Sequence, residues 1–355
     1  MNDQPVNSSS SAIVPPEGFV QPPASELAAT TGRSSRLPPA VHMIFVGPNG
    51  LRPGWRLLIY ILLTVACLKL AGSVLHAFGF HAPKSEAEVT PWNMAWSRAA
   101  QFLIFLFTAY IMSKIERRPV GNYGLPARTA FGKQFWEGVL IGFVSLSLLL
   151  VMLRMSGAFY FGAIALAPKQ ALYYAGAWGL GFLMVGFFEE YVFRGYIQFT
   201  LTEAMGFWPT AILLSFLFAY VHHFNVGETW LGLVDVFLAG LVLAAMLVRT
   251  GNLWLAVGFH FAWDWAESYF YGVADSGLPA TGALLHPSIP TNRPWWLTGG
   301  SVGPEGSIFS CITEILLIVF ILWRFRENRY PAQDPAWVSR SLNRFVRPFS
   351  GQRAA

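Results

Sequence analysis

A chain of 355 residues that is 54% hydrophobic, 16% aromatic and only 12% charged lies far from the roughly 25% charged content of soluble domains. With several apolar runs of about 20 residues, each enough to cross a bilayer as a helix, this excludes an ordinary water-soluble domain and indicates an all-α, polytopic membrane bundle of about eight transmembrane helices. The net charge of +5 then reads as topology rather than nucleic-acid affinity, and the two cysteines, Cys67 and Cys311, both in apolar runs, exclude a disulfide framework or a CxxC metal motif.

Residues 1–45 are rich in Ser, Pro and Ala and lack the long apolar core of a secretory signal. They are expected to form a disordered cytoplasmic tail. Residues 46–328 are expected to form the transmembrane bundle, with helices near 55–78, 93–114, 135–154, 171–203, 207–224, 229–249, 253–272 and 307–325. Arg52 and Arg56 border the first helix, Lys114, Arg117 and Arg118 follow the second, Arg249 follows the sixth, and residues 329–355 form a basic cytoplasmic C-terminal tail. Every second loop is basic, so the positive-inside rule puts both termini in the cytoplasm of a multi-pass plasma-membrane protein. The Gly/Pro-rich stretch 273–306, with few charges, is expected to be a simple outer surface loop rather than a lid. No repeat and no recurring pair of broken helices appears, which argues against an inverted-repeat transporter.

Charges inside these apolar helices are costly, about 2.5–3.5 kcal/mol each on insertion scales, and usually mark function. In "FFEEYVFRGY" (187–196), Glu190 and Arg194 share a helix face four residues apart, acid first, and neutralise each other. Glu189, about 100° around the helix, is left over. In "FLFAYVHHFN" (216–225), Phe218 lies one turn before His222, and the adjacent His222 and His223 point to different faces, so at most one joins Glu189. In "GFHFAWDWAE" (258–267), His260 and Asp264 share a face and can hydrogen-bond, a carboxylate fixing the imidazole's tautomer. Asp235 is deep in the sixth helix without a local partner, whereas Lys69, Arg98, Arg154 and Glu314 lie mostly near helix ends and are expected to snorkel. Glu189, 17 residues before Gly206, and His222, 13 after Pro209, come to comparable depth in an antiparallel hairpin.

These residues resemble the three motifs of the CAAX-processing and bacteriocin-processing (CPBP) intramembrane endopeptidases, related to the type II CAAX prenyl endopeptidase. The family's EExxxR, FxxxH and HxxxN or HxxxD read here as Glu189-Glu190 to Arg194, Phe218 to His222, and His260 to Asp264, and the likeness covers about 170–270, with a motif core at 171–272. The resemblance implies a glutamate-dependent peptidase that cleaves a membrane-associated protein or peptide, and leaves open whether that substrate is lipidated. Glu189 would deprotonate a water that His222 helps to hold. His260 with Asp264 would stabilise the oxyanion, Glu190 and Arg194 would support the site, and Phe218 would pack it. Asp264 departs from the Asn of the best-described members: when ionised it accepts hydrogen bonds and cannot donate one.

Other readings use the same residues. Glu189, His222, His260 and Asp264 could bind Zn²⁺, since two His and a carboxylate are ordinary catalytic ligands; the expectation is no cofactor, with Zn as the alternative. A proton-coupled transporter could use the polar residues as a relay, and a non-catalytic protein could use them to bind a membrane partner. The expected partners are a membrane-anchored substrate and the lipid bilayer, with no nucleic acid.

Overall fold

The computed structural model describes residues 44–47, 50–79, 89–279 and 281–330. The expected disordered N-terminal tail and the expected basic C-terminal tail lie almost wholly outside these residues. All eight expected helices form: α1 (Pro53–Ala77), α2 (Pro91–Glu116), α3 (Lys133–Met155), α4 (Pro168–Arg194) with α5 (Tyr196–Met205), α6 (Phe207–His222), α7 (Trp230–Thr250), α8 (Trp254–Trp265) and α9 (Ile308–Arg324). Proline at the first helical turn starts α1, α2 and α4, where its missing N–H costs nothing. Side-chain oxygens of Thr90, Thr229 and Ser307 cap α2, α7 and α9, each satisfying an orphan backbone donor. The α8 helix runs on as a π-helical turn, Ala266–Tyr271.

The fourth expected helix is not continuous. It breaks at Gly195, where a Cβ would lie 2.3 Å from the Tyr191 carbonyl oxygen, so no other residue fits that geometry without rearrangement. Taken through this break, Pro168–Met205 joins α1, α2, α3 and α7 as the five spans long and apolar enough to cross a membrane among the described residues. The 16-residue α6 is apolar but shorter, about 24 Å at 1.5 Å per residue. Large apolar side chains such as Leu62 and Leu70 of α1, Leu103 of α2, Phe216 of α6 and Val319 of α9 are exposed, as a lipid-facing surface requires. The fold is an all-α membrane bundle.

At its centre lies α8, buried on almost every face, the signature of an interior helix. Three glycines let it approach α3 at backbone contact. A Cβ on Gly138 would fall 2.2 Å from the Leu255 carbonyl oxygen, one on Gly142 would fall 2.4 Å from that of Phe259, and one on Gly258 would fall 2.1 Å from that of Phe135. The Gly-x-x-x-Gly spacing on α3 is the small-residue stripe of close membrane-helix pairs. On its other side α8 meets α4 at Gly186, whose added Cβ would sit 3.3 Å from the Val257 carbonyl oxygen and 3.7 Å from His260 Cβ.

Two expectations about charge and loops need correcting. Arg56, expected at the headgroup boundary, is buried and pairs with Glu116 (Nη1 to Oε2, 2.8 Å) and with Glu203. Arg118 of the basic loop pairs with the same Glu203 at 3.1 Å. The stretch 273–306 is fastened to the bundle rather than lying loosely on it. Tyr160 bridges to Ser288 and Ile164 to Leu285, and Trp178 donates its indole N–H to the Thr281 carbonyl at 2.8 Å.

Candidate active site

The last two turns of α4 carry Glu189, Glu190 and Arg194 toward α8. Arg194 is fully buried and donates from Nη1 to Glu190 Oε1 (3.2 Å) and from Nη2 to the Gly240 carbonyl (3.3 Å). That carbonyl is reachable because Gly240 lets α6 close on α7; a Cβ there would meet Ser215 Cβ at 2.7 Å. The guanidinium also lies 4.5 Å from the centroid of the Phe218 ring, a cation–π contact that shields its charge. The expected Glu190–Arg194 pair is therefore present.

Glu190 does more than neutralise Arg194. Its Oε1 also accepts from His260 Nδ1 at 2.8 Å. The i, i+4 spacing pointed to Asp264 as the residue fixing the imidazole; the structure gives that task to Glu190, on a neighbouring helix. With Nδ1 committed, His260 Nε2 faces two carboxylates: Glu189 Oε2 at 3.7 Å and Asp264 Oδ2 at 3.5 Å. Neither distance is a good direct hydrogen bond, and both suit groups that meet through a third polar atom. Glu189 accepts no hydrogen bond from another described residue, and its side chain keeps 17% exposure, against none for Glu190.

His222 stands beside this group. Its Nδ1 lies 2.8 Å from the Phe218 carbonyl, an acceptor only, so Nδ1 carries the proton and Nε2 keeps its lone pair. The Phe218 ring packs edge-on against both imidazoles, 4.5 Å from His222 and 6.5 Å from His260 by centroids. His222 makes no hydrogen bond to the two glutamates or Asp264; the link runs through Phe218. His223 is exposed. The structure thus draws Glu189, Glu190, Arg194, His260 and Asp264 into one group, with Phe218 packed on it and His222 behind Phe218.

Asp235 is buried on α7 with Oδ1 unpartnered and makes no hydrogen bond to this group. Lys69 and Arg154 are exposed as expected, but Glu314 does not snorkel: it is 1% exposed, on the inner face of α9. Three further carboxylates escaped the sequence reading. Glu267, Asp275 and Glu305 each offer an oxygen within 4.8 Å of the others, and no other His, Cys, Asp or Glu group of three among the described residues gathers ligand atoms so closely. Glu267 could have been found by the argument that singled out Glu189, because it too ends an apolar run with no base within a helical turn.

Residues 170–266 match the family model described as Type II CAAX prenyl endopeptidase Rce1-like. No curated protein and no solved structure matches the chain significantly. The matched segment contains all three motifs, Glu189 to Arg194, Phe218 to His222 and His260 to Asp264, on the helices that build the cluster. Over that segment the chain is similar to the Rce1-like, type II CAAX prenyl endopeptidases, in keeping with the resemblance that the three motifs carry.

Proposed function

We propose that the chain is an intramembrane endopeptidase that hydrolyses a peptide bond of a membrane-anchored protein or peptide, with Glu189 as the base that activates water. One observation carries the reading: His260 is held by Glu190 through Nδ1, which leaves Nε2 facing a gap between Glu189 and Asp264 that neither carboxylate closes. A water beside Glu189 gives its proton to the Glu189 carboxylate as its oxygen attacks the scissile carbonyl, and His222, which packs on the Phe218 ring, supports the site from behind that ring. The resulting oxyanion takes a hydrogen bond from His260 Nε2–H, a donor already oriented before charge develops. Glu189 then passes the proton to the leaving amine, and the C–N bond breaks. Asp264 holds the charge that His260 carries in this step. Glu190 and Arg194 act through His260 and are positioning residues.

The test uses purified full-length protein in lipid or detergent with a panel of membrane-anchored peptides, prenylated and not. Wild type is expected to cleave at least one, and Glu189→Gln to lose about 10²–10⁴-fold, the usual scale for a general base. His222→Ala is expected to lose less. Normal cleavage by Glu189→Gln would remove the proposed base. Activity that persists with a strong chelator supports the metal-free route. Activity lost to the chelator and restored by Zn²⁺ would instead assign Glu189, His222, His260 and Asp264 as ligands.

A further inference from the structure

The carboxylates of Glu267, Asp275 and Glu305 form a second polar group beyond the motif residues and outside the matched segment. Glu267 lies in the π-helical turn that ends α8, a local geometry common at functional sites. It is 0% exposed, and neither of its carboxylate oxygens has a hydrogen-bond partner among the described residues. A protonated carboxyl would still need an acceptor for its proton and a donor for its other oxygen, and the described residues supply neither. Asp275 and Glu305 come from the 273–306 stretch. Glu305 is anchored: Oε1 accepts from Trp263 Nε1 at 3.1 Å, and Oε2 accepts from the Ser276 backbone N–H at 3.1 Å and its hydroxyl at 2.7 Å. Burial, reinforced by the charges of Asp264 and Glu305, pushes the Asp275 carboxyl well above the ordinary carboxylate range. Ion pairs among the described residues engage Glu116, Glu137, Glu189, Glu190, Glu203, Asp264 and Glu327, and none of these three acids.

We propose that Glu267, Asp275 and Glu305 bind one hard divalent cation of the Ca²⁺ class, which clamps the 273–306 stretch onto the end of α8. The donor set is all oxygen, which suits Ca²⁺, Mg²⁺ or Mn²⁺ and not the soft, nitrogen- or sulfur-seeking metals. The cation would satisfy the two orphan oxygens of Glu267 and cancel the repulsion among three acids at close range. It would lie one helical turn past Asp264, so it would fix the end of the helix that presents His260 without touching the reacting atoms.

The test needs no peptidase activity, so it stands apart from the peptidase reading. The full chain in detergent, stripped with chelator, is titrated with Tb³⁺, whose luminescence the Trp263 indole beside Glu305 can sensitise. We expect a saturable signal that Ca²⁺ displaces, and a rise of a few degrees in Tm with Ca²⁺. Asp275→Asn and Glu305→Gln are each expected to weaken binding by about tenfold or more, and Glu189→Gln to leave it unchanged. Trp263→Phe is expected to dim the luminescence and keep the Ca²⁺-dependent Tm. Wild-type protein with no displaceable signal and no Tm response to Ca²⁺, Mg²⁺ or Mn²⁺ would overturn the proposal. So would binding that survives both carboxylate substitutions undiminished.

Discussion

The molecule holds two buried charge networks that look alike in composition and differ in completeness. Near the ends of α1, α2 and α5, Arg56 and Arg118 face Glu116 and Glu203. Glu116 Oε2 takes Arg56 and the Tyr123 hydroxyl, Glu116 Oε1 takes the Tyr196 hydroxyl, and Glu203 takes one arginine on each oxygen. Two cations meet two anions and every carboxylate oxygen is used. Between α4 and α8, three carboxylates face one guanidinium and one imidazole. Among the described residues Glu190 Oε2 is buried without a partner, and Glu189 accepts no hydrogen bond. A network whose carboxylate oxygens are all taken has no acceptor left for chemistry and serves as a strut, even though Arg56 Nε finds no partner among the described residues. An unsaturated one retains acceptors for water and substrate.

The largest expected effect tests the strut that exists even inside the open network. Arg194→Met leaves the buried Glu190 carboxylate with only His260 Nδ1 as a partner, and a loss of about 3 kcal/mol is expected, the lower end for breaking a buried pair, read as a drop in Tm or in the yield of folded protein. Adding Glu190→Gln should return much of that stability, because two neutral side chains then replace the pair and no buried charge is left. Cleavage should not return, because His260 Nδ1 has lost the carboxylate that orients it. A double variant no more stable than Arg194→Met would show that the arginine acts through the Gly240 carbonyl and Phe218 rather than through Glu190.

Next in size is the platform that brings α8 to the site. Gly138→Ala puts a methyl 2.2 Å from the Leu255 carbonyl oxygen, and backbone cannot yield as a flexible side chain does. Overpacking of this kind costs about 1–3 kcal/mol. Because α8 would be pushed toward α4, cleavage should fall further than stability alone explains, with kcat affected more than KM. A variant with wild-type Tm would mean that the helices separate freely and that their close crossing does not set the position of His260.

These effects also mark what the sequence could and could not reveal. The helices were legible because apolar runs and Gly/Pro punctuation are local signals, and Glu189, Glu190, His260 and Asp264 were legible because charge in an apolar run is conspicuous. The break at Gly195 was hidden: "FRGY" has one glycine, tolerated in many helices, and only the position of the Tyr191 carbonyl makes it decisive. The partner of His260 was misread for a related reason. Spacing within one helix reports intrahelical neighbours, so Asp264 was visible and Glu190, arriving from α4, was not. Arg56 looked like a headgroup contact because nothing in sequence shows Glu116 and Glu203 converging on it. Glu267, Asp275 and Glu305 are separated by 8 and 30 residues, with no period to connect them.

Within the saturated network the two tyrosines should differ. Among the described residues Tyr196 is the sole donor to Glu116 Oε1, whereas Tyr123 shares Oε2 with Arg56. Tyr196→Phe leaves a carboxylate oxygen bare and should cost about 1.5–3 kcal/mol, the range for a hydrogen bond to a charged group. Tyr123→Phe should cost about 1 kcal/mol or less, because the arginine remains. Equal losses would mean that packing of the two rings, not acceptor saturation, dominates.

The smallest expected effect on stability is the most diagnostic of the contrast. Glu116→Gln removes the charge that Arg56 and two hydroxyls address, and should lower Tm by several degrees. Glu189→Gln removes a carboxylate that is partly exposed, accepts no hydrogen bond from another described residue and lies among other acids. Its expected change is within about 0.5 kcal/mol, the range for substitutions that break no buried network, and relief of repulsion from Glu190 and Asp264 would make it slightly stabilising. The same substitution is the one expected to abolish cleavage, so stability and activity should separate most widely at this residue. If Glu189→Gln lowers Tm as far as Glu116→Gln does, Glu189 is a strut like the others, and the gap beside His260 is a packing feature rather than a place for water.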